Sequence, residues 1–259
     1  MAKAGTGRHR HRFSGSLLII IKLMQNAIFD HSTQEAPGIF SFWFIAKARL
    51  NFIAGQYLEM TIKHNKSDNR GQKRWFTISS PPNVAPYFSV TTRLSSDAGS
   101  TFKQALKLLD PGLKVKISEA VGDFVLPKDP ARPLIFIAGG IGITPFHSIL
   151  SELSDNKEVR DIKLIYTANK EADIIFQNTF NNAQIHPTIV VANPSEAWGG
   201  ERGQLSAELI LDPEKPSDET LIYISGPEKM VENLEKDLKK SGIQKSQLIG
   251  DFFPGYQTI

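Results

Sequence analysis

The stretch IAGGIGITP at residues 137–145 decides the fold of the second half of this chain. It follows the apolar run Pro133–Phe136, which is typical of a buried strand, and it precedes apolar residues at helical spacing. Thr144 is a favourable N-cap, and Pro145 suits the first position of a helix. The sequence therefore predicts a strand that passes through a glycine turn directly into a helix over Pro145–Leu153.

This glycine turn is suited to a ligand that carries phosphate. The backbone N–H groups and the positive end of the helix dipole point at one spot, and glycine lets a ligand come close to the backbone. The pattern is not the usual G-x-G-x-x-G, and no acidic residue follows at the offset expected for a ribose contact. Two interpretations stay open here: a dinucleotide cradle, or a tight turn whose glycines serve packing only.

Strands and helices alternate through the rest of the second half, which implies a parallel, doubly wound sheet. Ligands of such sheets bind beyond the carboxyl ends of the strands, where the glycine turn and Ser225-Gly226-Pro227 both lie. Gly242 is expected to end the last helix. The further predicted strands are Ile162–Tyr166, Thr188–Ala192, Leu221–Ser225 and Gln247–Ile249, and the further helices are Ile175–Asn181, Leu205–Leu211 and Glu228–Lys240.

The first half is rich in short alternating segments separated by turn residues. One helix, Thr101–Leu109, interrupts them, and Pro111-Gly112 ends it. About six strands with one short helix favour an antiparallel Greek-key β-barrel. The predicted strands are Ser16–Lys22 or its continuation to Ile28, Ile39–Ala46, Tyr57–Lys63, Arg74–Ser80, Tyr87–Arg93 and Leu113–Glu119.

Composition narrows the class of protein. The 259 residues suffice for two domains, and the absence of cysteine excludes disulfides, cysteine-held clusters and thiol catalysis. The net charge of +3 comes from a basic tail at residues 1–14, since the remainder is close to neutral. Such a tail suits a membrane surface or nucleic acid, but a frayed terminus is the favoured interpretation, and we expect no nucleic-acid partner. The apolar run Leu17–Ile21 is too short to span a bilayer, and a cytoplasmic location is expected.

Several segments, taken in order along the chain, resemble those of ferredoxin–NADP reductase-type flavoproteins. Arg74-Trp75-Phe76-Thr77 resembles the family's R-x-Y-[S/T] motif, and Gly139–Pro145 resembles its G-G-x-G-x-T-P loop. Each motif is weakly specific alone, but the ordered set, over residues 16–259, is distinctive. The other matching segments are Gly55-Gln56-Tyr57, Gly99-Ser100-Thr101-Phe102-Lys103, Gly122-Asp123-Phe124, Ser225-Gly226-Pro227 and Asp251-Phe252-Phe253-Pro254-Gly255-Tyr256.

The resemblance implies an FAD-binding barrel over residues 15–128. Arg74 would bind the flavin diphosphate, Phe76 would offer a flat face to the isoalloxazine, and the Thr77 hydroxyl would lie beside flavin N5. Phe76 replaces the family's usual tyrosine. The plainer alternatives are a surface arginine at position 74 and a core residue at position 76. The remaining flavin-binding residues implied are Trp75, Val90, Thr92, Gly99, Ser100 and Thr101.

The resemblance also implies an NAD(P)-binding domain over residues 129–259, with Ser225 in place of the family's cysteine near the nicotinamide. An aromatic side chain, Tyr256 or Phe253, would shield the flavin. No carboxylate is predicted at the adenosine 2′ position, which favours NADPH slightly. The dinucleotide-binding residues implied are Gly139, Gly140, Gly142, Thr144, Pro145, Thr167, Asn169, Lys170, Arg202, Gly226 and Pro227.

The implied activity is transfer of a hydride from NAD(P)H to FAD, followed by transfer of electrons to an external acceptor. That acceptor is a ferredoxin-like protein, a membrane redox partner or a small molecule. The resemblance assigns catalytic roles to Thr77, Ser225 and Tyr256, and no metal is expected. Three alternatives stay open: a non-catalytic electron-transfer subunit, a sensor that binds NADPH, and a dinucleotide dehydrogenase without flavin.

Overall fold

The computed structural model describes residues 24–65, 67–94, 100–212 and 215–253, with the backbone only for Phe253. Its first half is a six-stranded antiparallel sheet in the order β4-β3-β6-β1-β2-β5. One helix, α1 (Thr101–Lys107), packs Phe102 and Leu106 into the core of this sheet. The strands are β1 (Gln25–Ala36), β2 (Ile39–Ala46), β3 (Tyr57–Thr61), β4 (Lys73–Thr77), β5 (Tyr87–Arg93) and β6 (Lys114–Ile117).

The antiparallel sheet closes on itself as a barrel. Its edge strands, β4 and β5, meet just beyond Thr77, where the Ser79 N–H donates to the Ser89 carbonyl at 2.8 Å. Buried hydroxyls reinforce the closure, because the Ser79 Oγ lies 2.9 Å from that of Ser89 and 2.8 Å from the Thr91 Oγ1. These contacts fix the end of β4 beside β5.

The second half is a six-stranded parallel sheet in the order β10-β9-β8-β7-β11-β12. The chain therefore reverses its direction of winding between β7 and β11, which are hydrogen-bonded neighbours. Its strands are β7 (Leu134–Gly139), β8 (Ile162–Ala168), β9 (Thr188–Val191), β10 (Glu201–Arg202), β11 (Leu221–Pro227) and β12 (Leu248–Phe253), and its helices are α2 (Thr144–Asp155), α3 (Gln177–Asn182), α4 (Ala207–Leu211) and α5 (Glu228–Lys240).

Alternate residues of the parallel strands enter two separate apolar clusters. Phe136 and Tyr223 face the cluster that contains α2, whereas Ile137 and Ile224 face the cluster that contains α4 and α5. A sheet with helices on both faces is buried on both faces, which explains the continuous apolar runs of β7 and β11. The α2 side is also the side on which the barrel lies, because barrel residues Ile39 and Phe124 belong to the α2 cluster.

Apolar contacts join the two halves. The ring of Phe124 lies 5.4 Å from that of Phe146 on α2 and 5.1 Å from that of Tyr223 on β11. The Tyr223 hydroxyl donates to the Val125 carbonyl at 2.7 Å, and the Ser148 hydroxyl on α2 donates to the Ser80 carbonyl at 2.7 Å. The Arg93–Asp173 ion pair, at 2.9 Å, adds a polar bridge at the end of β5.

The predicted fold class is confirmed, including the stop of α5 near Gly242, whose φ is +85°. The prediction that Thr144 caps α2 is wrong. A single 3₁₀ turn over Gly140–Ile143 continues into α2, so Thr144 is already helical and its Oγ1 donates to the Ile141 carbonyl at 3.1 Å.

Strand ends differ from the predicted ones in several places. The first described strand begins at Gln25, whereas Ser16–Lys22 and the basic tail at 1–14 lie outside the described residues. The two-residue strand Glu201–Arg202 is not predicted, because two exposed charged residues carry no strand signal. Leu126–Pro133 holds no helix or strand, and the predicted domain boundary at 128/129 falls within it. Within the described ranges, every helix is too short or too polar to traverse a bilayer.

Candidate functional site

At the point where the parallel sheet reverses its winding, the carboxyl ends of β7 and β11 are in close backbone contact, and glycines make this contact possible. A Cβ at Gly142 would collide with the carbonyl oxygen of Ser225, and a Cβ at Gly226 would lie 3.2 Å from the Gly139 Cα. Glycine is therefore required here for close approach of one backbone to another. The turn thus serves packing, as the plainer interpretation holds, and it stands at the position where doubly wound sheets bind their ligands.

The barrel covers this reversal point from one side. The turn Gly140–Ile143 lies against β5, and the residues that follow β4 reach α2 through the Ser80–Ser148 hydrogen bond. Thr77 ends β4 two residues before Ser79 and is 4% exposed. The Oγ1 of Thr77 and the Oγ of Ser225 are both buried, and neither has a hydrogen-bond partner in the described part of the chain. Buried hydroxyls without partners are uncommon, and these two belong to β4 of the barrel and β11 of the parallel sheet.

Ser225 has a carboxylate as its neighbour. Asp251 on β12 is in register with Ser225 on β11, so the two side chains lie side by side on one face of the sheet. That face is the barrel side, since Tyr223 and Ile249, two residues earlier on each strand, pack into the α2 cluster. Burial raises the pKa of Asp251 to about 6, and the Phe252 N–H opposes that rise. Its Oδ2 is buried without a partner among the described residues.

The Arg74–Thr77 motif on β4 is divided between the two faces of the barrel, because successive side chains of a strand point to opposite sides. Arg74 and Phe76 point towards α1. Trp75 is on the outer face, is 48% exposed and meets the ring of Tyr57 edge-on at 5.2 Å. Trp75 and Phe76 therefore do not line the same surface.

Phe76 occupies the core position that was the plainer alternative. It is 7% exposed and packs 5.7 Å from the ring of Phe102. The next strand behaves alike: Val90 is 0% and Thr92 1% exposed, because β5 turns both towards the barrel interior. The flavin contacts that the resemblance implies for Phe76, Val90 and Thr92 therefore stay predictions, made for side chains that are buried in the barrel.

Arg74 is held by its own chain. Its Nη2 donates to the Asp68 Oδ1 at 2.9 Å and to the Ser100 Oγ at 3.1 Å. Asp68 also contacts Thr101, whose N–H donates to the Asp68 Oδ2 at 3.3 Å. Arg74, Ser100 and Thr101 are therefore gathered at one point, as the sequence predicts, and a carboxylate that it did not predict stands among them. Gly99 lies outside the described residues.

The end of β8 also differs from the prediction, which placed no carboxylate there. Glu171, the first residue after Lys170, accepts a hydrogen bond from the Ser195 N–H at 2.7 Å. This bond and the nearby charge of Arg202 lower the pKa of Glu171, so its carboxylate stays ionised at neutral pH. Thr167 is buried, whereas Asn169 and Lys170 are exposed.

Two of the other residues expected at the adenosine position are bound within the protein. The Arg202 Nη2 donates to the carbonyls of Glu196 and Trp198, and the Asn169 Oδ1 accepts from the Asn193 Nδ2 at 2.6 Å. The guanidinium of Arg202 is therefore already turned towards backbone oxygens. The side chain of Phe253 and the whole of Tyr256 lie outside the described residues.

Comparison with known proteins gives the chain a context. Residues 136–236 match the model of the oxidoreductase NAD-binding domain. The chain is 26% identical to NADH oxidoreductase HCR of Escherichia coli over 83% of this chain and 64% of that protein. It is 27% identical to the glycine betaine monooxygenase reductase subunit of Chromohalobacter salexigens, over 82% of this chain and 60% of that protein. The chain thus spans about three fifths of the length of these curated relatives.

Solved structures share the fold over nearly their whole length. The FAD/NAD-binding domain of nitric oxide dioxygenase from Vibrio cholerae superimposes with a TM-score of 0.75 at 19% identity, over 88% of this chain and 98% of that chain. The cytochrome b5 reductase domain of Ulva prolifera nitrate reductase gives a TM-score of 0.76 at 17% identity, over 88% of this chain and 97% of that chain.

Gly142→Ala should weaken dinucleotide binding about tenfold and lower the free energy of unfolding by about 2 kcal/mol, because the new methyl group forces β7 and β11 apart at the reversal point. Gly199→Ala is the matched control, since a Cβ there meets nothing within 4 Å. Titration with NADH and urea unfolding measure the two effects. Wild-type behaviour of Gly142→Ala would contradict the close approach described for Ser225.

Asp251→Asn should stabilise the protein at pH 8 by about 2 kcal/mol, because the buried carboxylate no longer has to ionise. The pKa of Asp251 is raised to about 6 from 3.8, so wild-type stability should fall as pH rises from about 4 to about 6 and then level off. Urea unfolding between pH 4 and pH 8 measures this contribution. The control is Asp161→Asn at an exposed site, and equal pH profiles for wild type and Asp251→Asn would disprove the assignment.

Proposed function

Since the chain carries an oxidoreductase NAD-binding domain on the two-domain fold of ferredoxin–NADP reductase-type oxidoreductases, we propose that it is an FAD-dependent NAD(P)H oxidoreductase. It would take a hydride from a reduced nicotinamide dinucleotide and pass electrons to a separate acceptor. Residues 15–128 would carry the flavin, and residues 129–259 would carry the dinucleotide. The support comes from one juxtaposition: the glycine turn at the reversal point of the parallel sheet lies against β5 of the barrel.

The junction between the barrel and the parallel sheet carries polar groups suited to two planar ring systems. Unpartnered buried hydroxyls belong to the elements on both sides, at Thr77 and Ser225, and each can donate to or accept from a ring nitrogen or carbonyl. The glycines at 139, 142 and 226 let β7 and β11 approach closely, because a Cβ would collide with the Met230 side chain at positions 139 and 226 and with the Ser225 carbonyl at position 142. When bound, FAD supplies the ring that accepts a hydride and releases electrons one or two at a time.

The chain's own residues then have defined tasks. Thr77 would orient the flavin from the barrel, while Ser225, Gly226 and Pro227 would border the nicotinamide. Asp251 lies beside Ser225, and with a pKa of about 6 its carboxyl can hold or release a proton near neutral pH. Alignment of two reactants accounts for most of the rate that such a site supplies, because the protein forms no covalent bond to either of them.

For the dinucleotide we propose a preference for NADH over NADPH, which reverses the preference expected from the sequence. An ionised Glu171 stands just beyond β8, where a doubly wound sheet discriminates the 2′ position of the adenosine ribose. A 2′-phosphate would meet this negative charge, and Arg202 is turned to backbone carbonyls instead of offering its fork. The positive charges of Lys170 and of Arg202, which lies near Glu171, would offset only part of this repulsion.

The acceptor is proposed to lie outside this chain, which has no cysteine to hold an iron–sulfur cluster. A ferredoxin-like protein, a membrane redox partner and a small acceptor are the candidates, and a cytoplasmic location is part of the proposal. Among the relatives, the anthranilate 1,2-dioxygenase electron transfer component of Acinetobacter baylyi is 25% identical over 79% of this chain. Its name favours a protein acceptor over a small one.

The purified protein should show flavin absorbance, and anaerobic NADH should bleach it. Thr77→Val should retain FAD but slow the bleaching about tenfold, because the hydroxyl no longer orients the ring. The matched control is Thr33→Val on the exposed part of β1, which should bleach at the wild-type rate. A flavin that stays oxidised with NADH and NADPH would support a binding subunit or a sensor instead, and a protein that takes up no flavin would support a dehydrogenase without flavin.

Glu171→Gln should raise the ratio of kcat/KM for NADPH to that for NADH by about tenfold, since a neutral amide no longer repels a 2′-phosphate. The change should appear mainly as a lower KM for NADPH. Glu219→Gln, at an exposed position before β11, provides the control and should leave the ratio unchanged. An unchanged ratio in Glu171→Gln would contradict the proposal that Glu171 lies at the adenosine site.

A further inference from the structure

The carboxylate of Asp68 occupies the cationic end of Arg74. The Nη2 of Arg74 donates to both carboxylate oxygens, at 2.9 Å to Oδ1 and 3.1 Å to Oδ2. The two side chains are 16% and 21% exposed, so the pair is mostly shielded from water. Opposite charges in contact and out of bulk water attract strongly, and this contact is the dominant ionic interaction of Arg74.

The guanidinium has little capacity left for another anion. Its Nη1 faces three backbone carbonyl oxygens, those of Arg70, Gly71 and Lys73, at 2.9, 3.0 and 2.6 Å. Its Nη2 donates to the Ser100 hydroxyl as well as to Asp68. Of the five N–H donors of an arginine, only the one on Nε is without a partner among the described residues, and that atom is buried.

Asp68 is itself fixed by its surroundings. The Arg70 N–H donates to Oδ1 at 2.9 Å and the Thr101 N–H to Oδ2 at 3.3 Å, while the Asp68 N–H donates to the Thr101 Oγ1 at 3.0 Å. Burial alone would raise the pKa of Asp68, but the hydrogen bonds and charge of Arg74 and the backbone N–H groups lower it to about 2. The carboxylate is therefore a permanent negative charge at any pH at which the protein is studied.

We propose that Asp68 is an internal competitor for the FAD diphosphate, which reaches Arg74 only after the Asp68 carboxylate has left. The inference rests on the proposed function, in which Arg74 binds that diphosphate. Because the two N–H donors of Nη2 are engaged by Asp68 and Ser100, a diphosphate oxygen takes a donor there by displacing the Asp68 carboxylate, and FAD binding exchanges one ion pair for another instead of adding a new one. The affinity for FAD is thereby held below what Arg74, Ser100 and Thr101 would give without Asp68. Protonation of the Asp68 carboxylate does not free Arg74, because that carboxylate stays ionised.

The test is a titration of the flavin-free protein with FAD, in which the quenching of flavin fluorescence reports binding. Asp68→Asn should bind FAD about tenfold more tightly than wild type, because the competing charge is gone. Asp110→Asn removes one negative charge from an exposed site of the same domain and should bind as wild type does. Asp68→Ser, which keeps an oxygen acceptor for the Thr101 N–H, is the second uncharged variant if Asp68→Asn does not fold.

Inorganic pyrophosphate provides a readout that does not depend on the flavin ring. Calorimetry should show about tenfold tighter pyrophosphate binding to Asp68→Asn than to wild type. If neither the wild type nor the uncharged variants bind FAD, but the variants bind pyrophosphate more tightly than the wild type, the competition stands and the proposed function fails. If wild type and both uncharged variants bind FAD equally well, the competition is overturned and the proposed function stands. No gain for either ligand overturns the competition as well.

Discussion

The packing of Phe124 between Phe146 and Tyr223 is the contact on which the rest of the structure depends. It connects the end of the barrel segment to α2 and β11, and the Tyr223–Val125 hydrogen bond fixes its direction. Because these rings are buried, the barrel cannot slide along the parallel sheet without exposing apolar surface to water. The glycine turn at the end of β7 is thereby held against β5, and the junction between the two halves follows from that placement.

Much of the fold was predictable because its signals are local. Apolar runs such as Leu134–Ile137 and Leu221–Ile224 are continuous, as strands buried on both faces require. The start of α2 was not predictable in detail. Thr144 has the chemistry of a cap, but the preceding 3₁₀ turn, Gly140–Ile143, packs against β11 and runs directly into α2, so Thr144 is already helical. Tertiary contacts that decide such positions leave no trace in the adjacent sequence.

The site was predictable only unevenly, for physical reasons. Arg74, Ser100 and Thr101 do converge, yet Asp68 is not predictable because a carboxylate in a loop has no pattern until the loop folds back on Arg74. For Phe76 the resemblance implied a face for the flavin ring and the plainer alternative was a core residue; strand alternation places its ring with Phe102 in the core. In the C-terminal segment the sequence draws attention to the aromatic residues and not to Asp251. Asp251 becomes a candidate site residue only because β12 pairs in register with β11, which buries its carboxyl and raises its pKa. The assigned roles of these residues stay predictions.

The central claim is that one crevice holds both ring systems in contact, bordered by Thr77 on one side and Ser225 on the other. A crystal structure of the protein with FAD and NAD⁺ tests it most directly. The account predicts a nicotinamide stacked on the flavin, with the Thr77 and Ser225 hydroxyls each within hydrogen-bond distance of a ring atom. A structure in which the two ligands bind at separate surfaces, with the crevice filled by side chains, would contradict it.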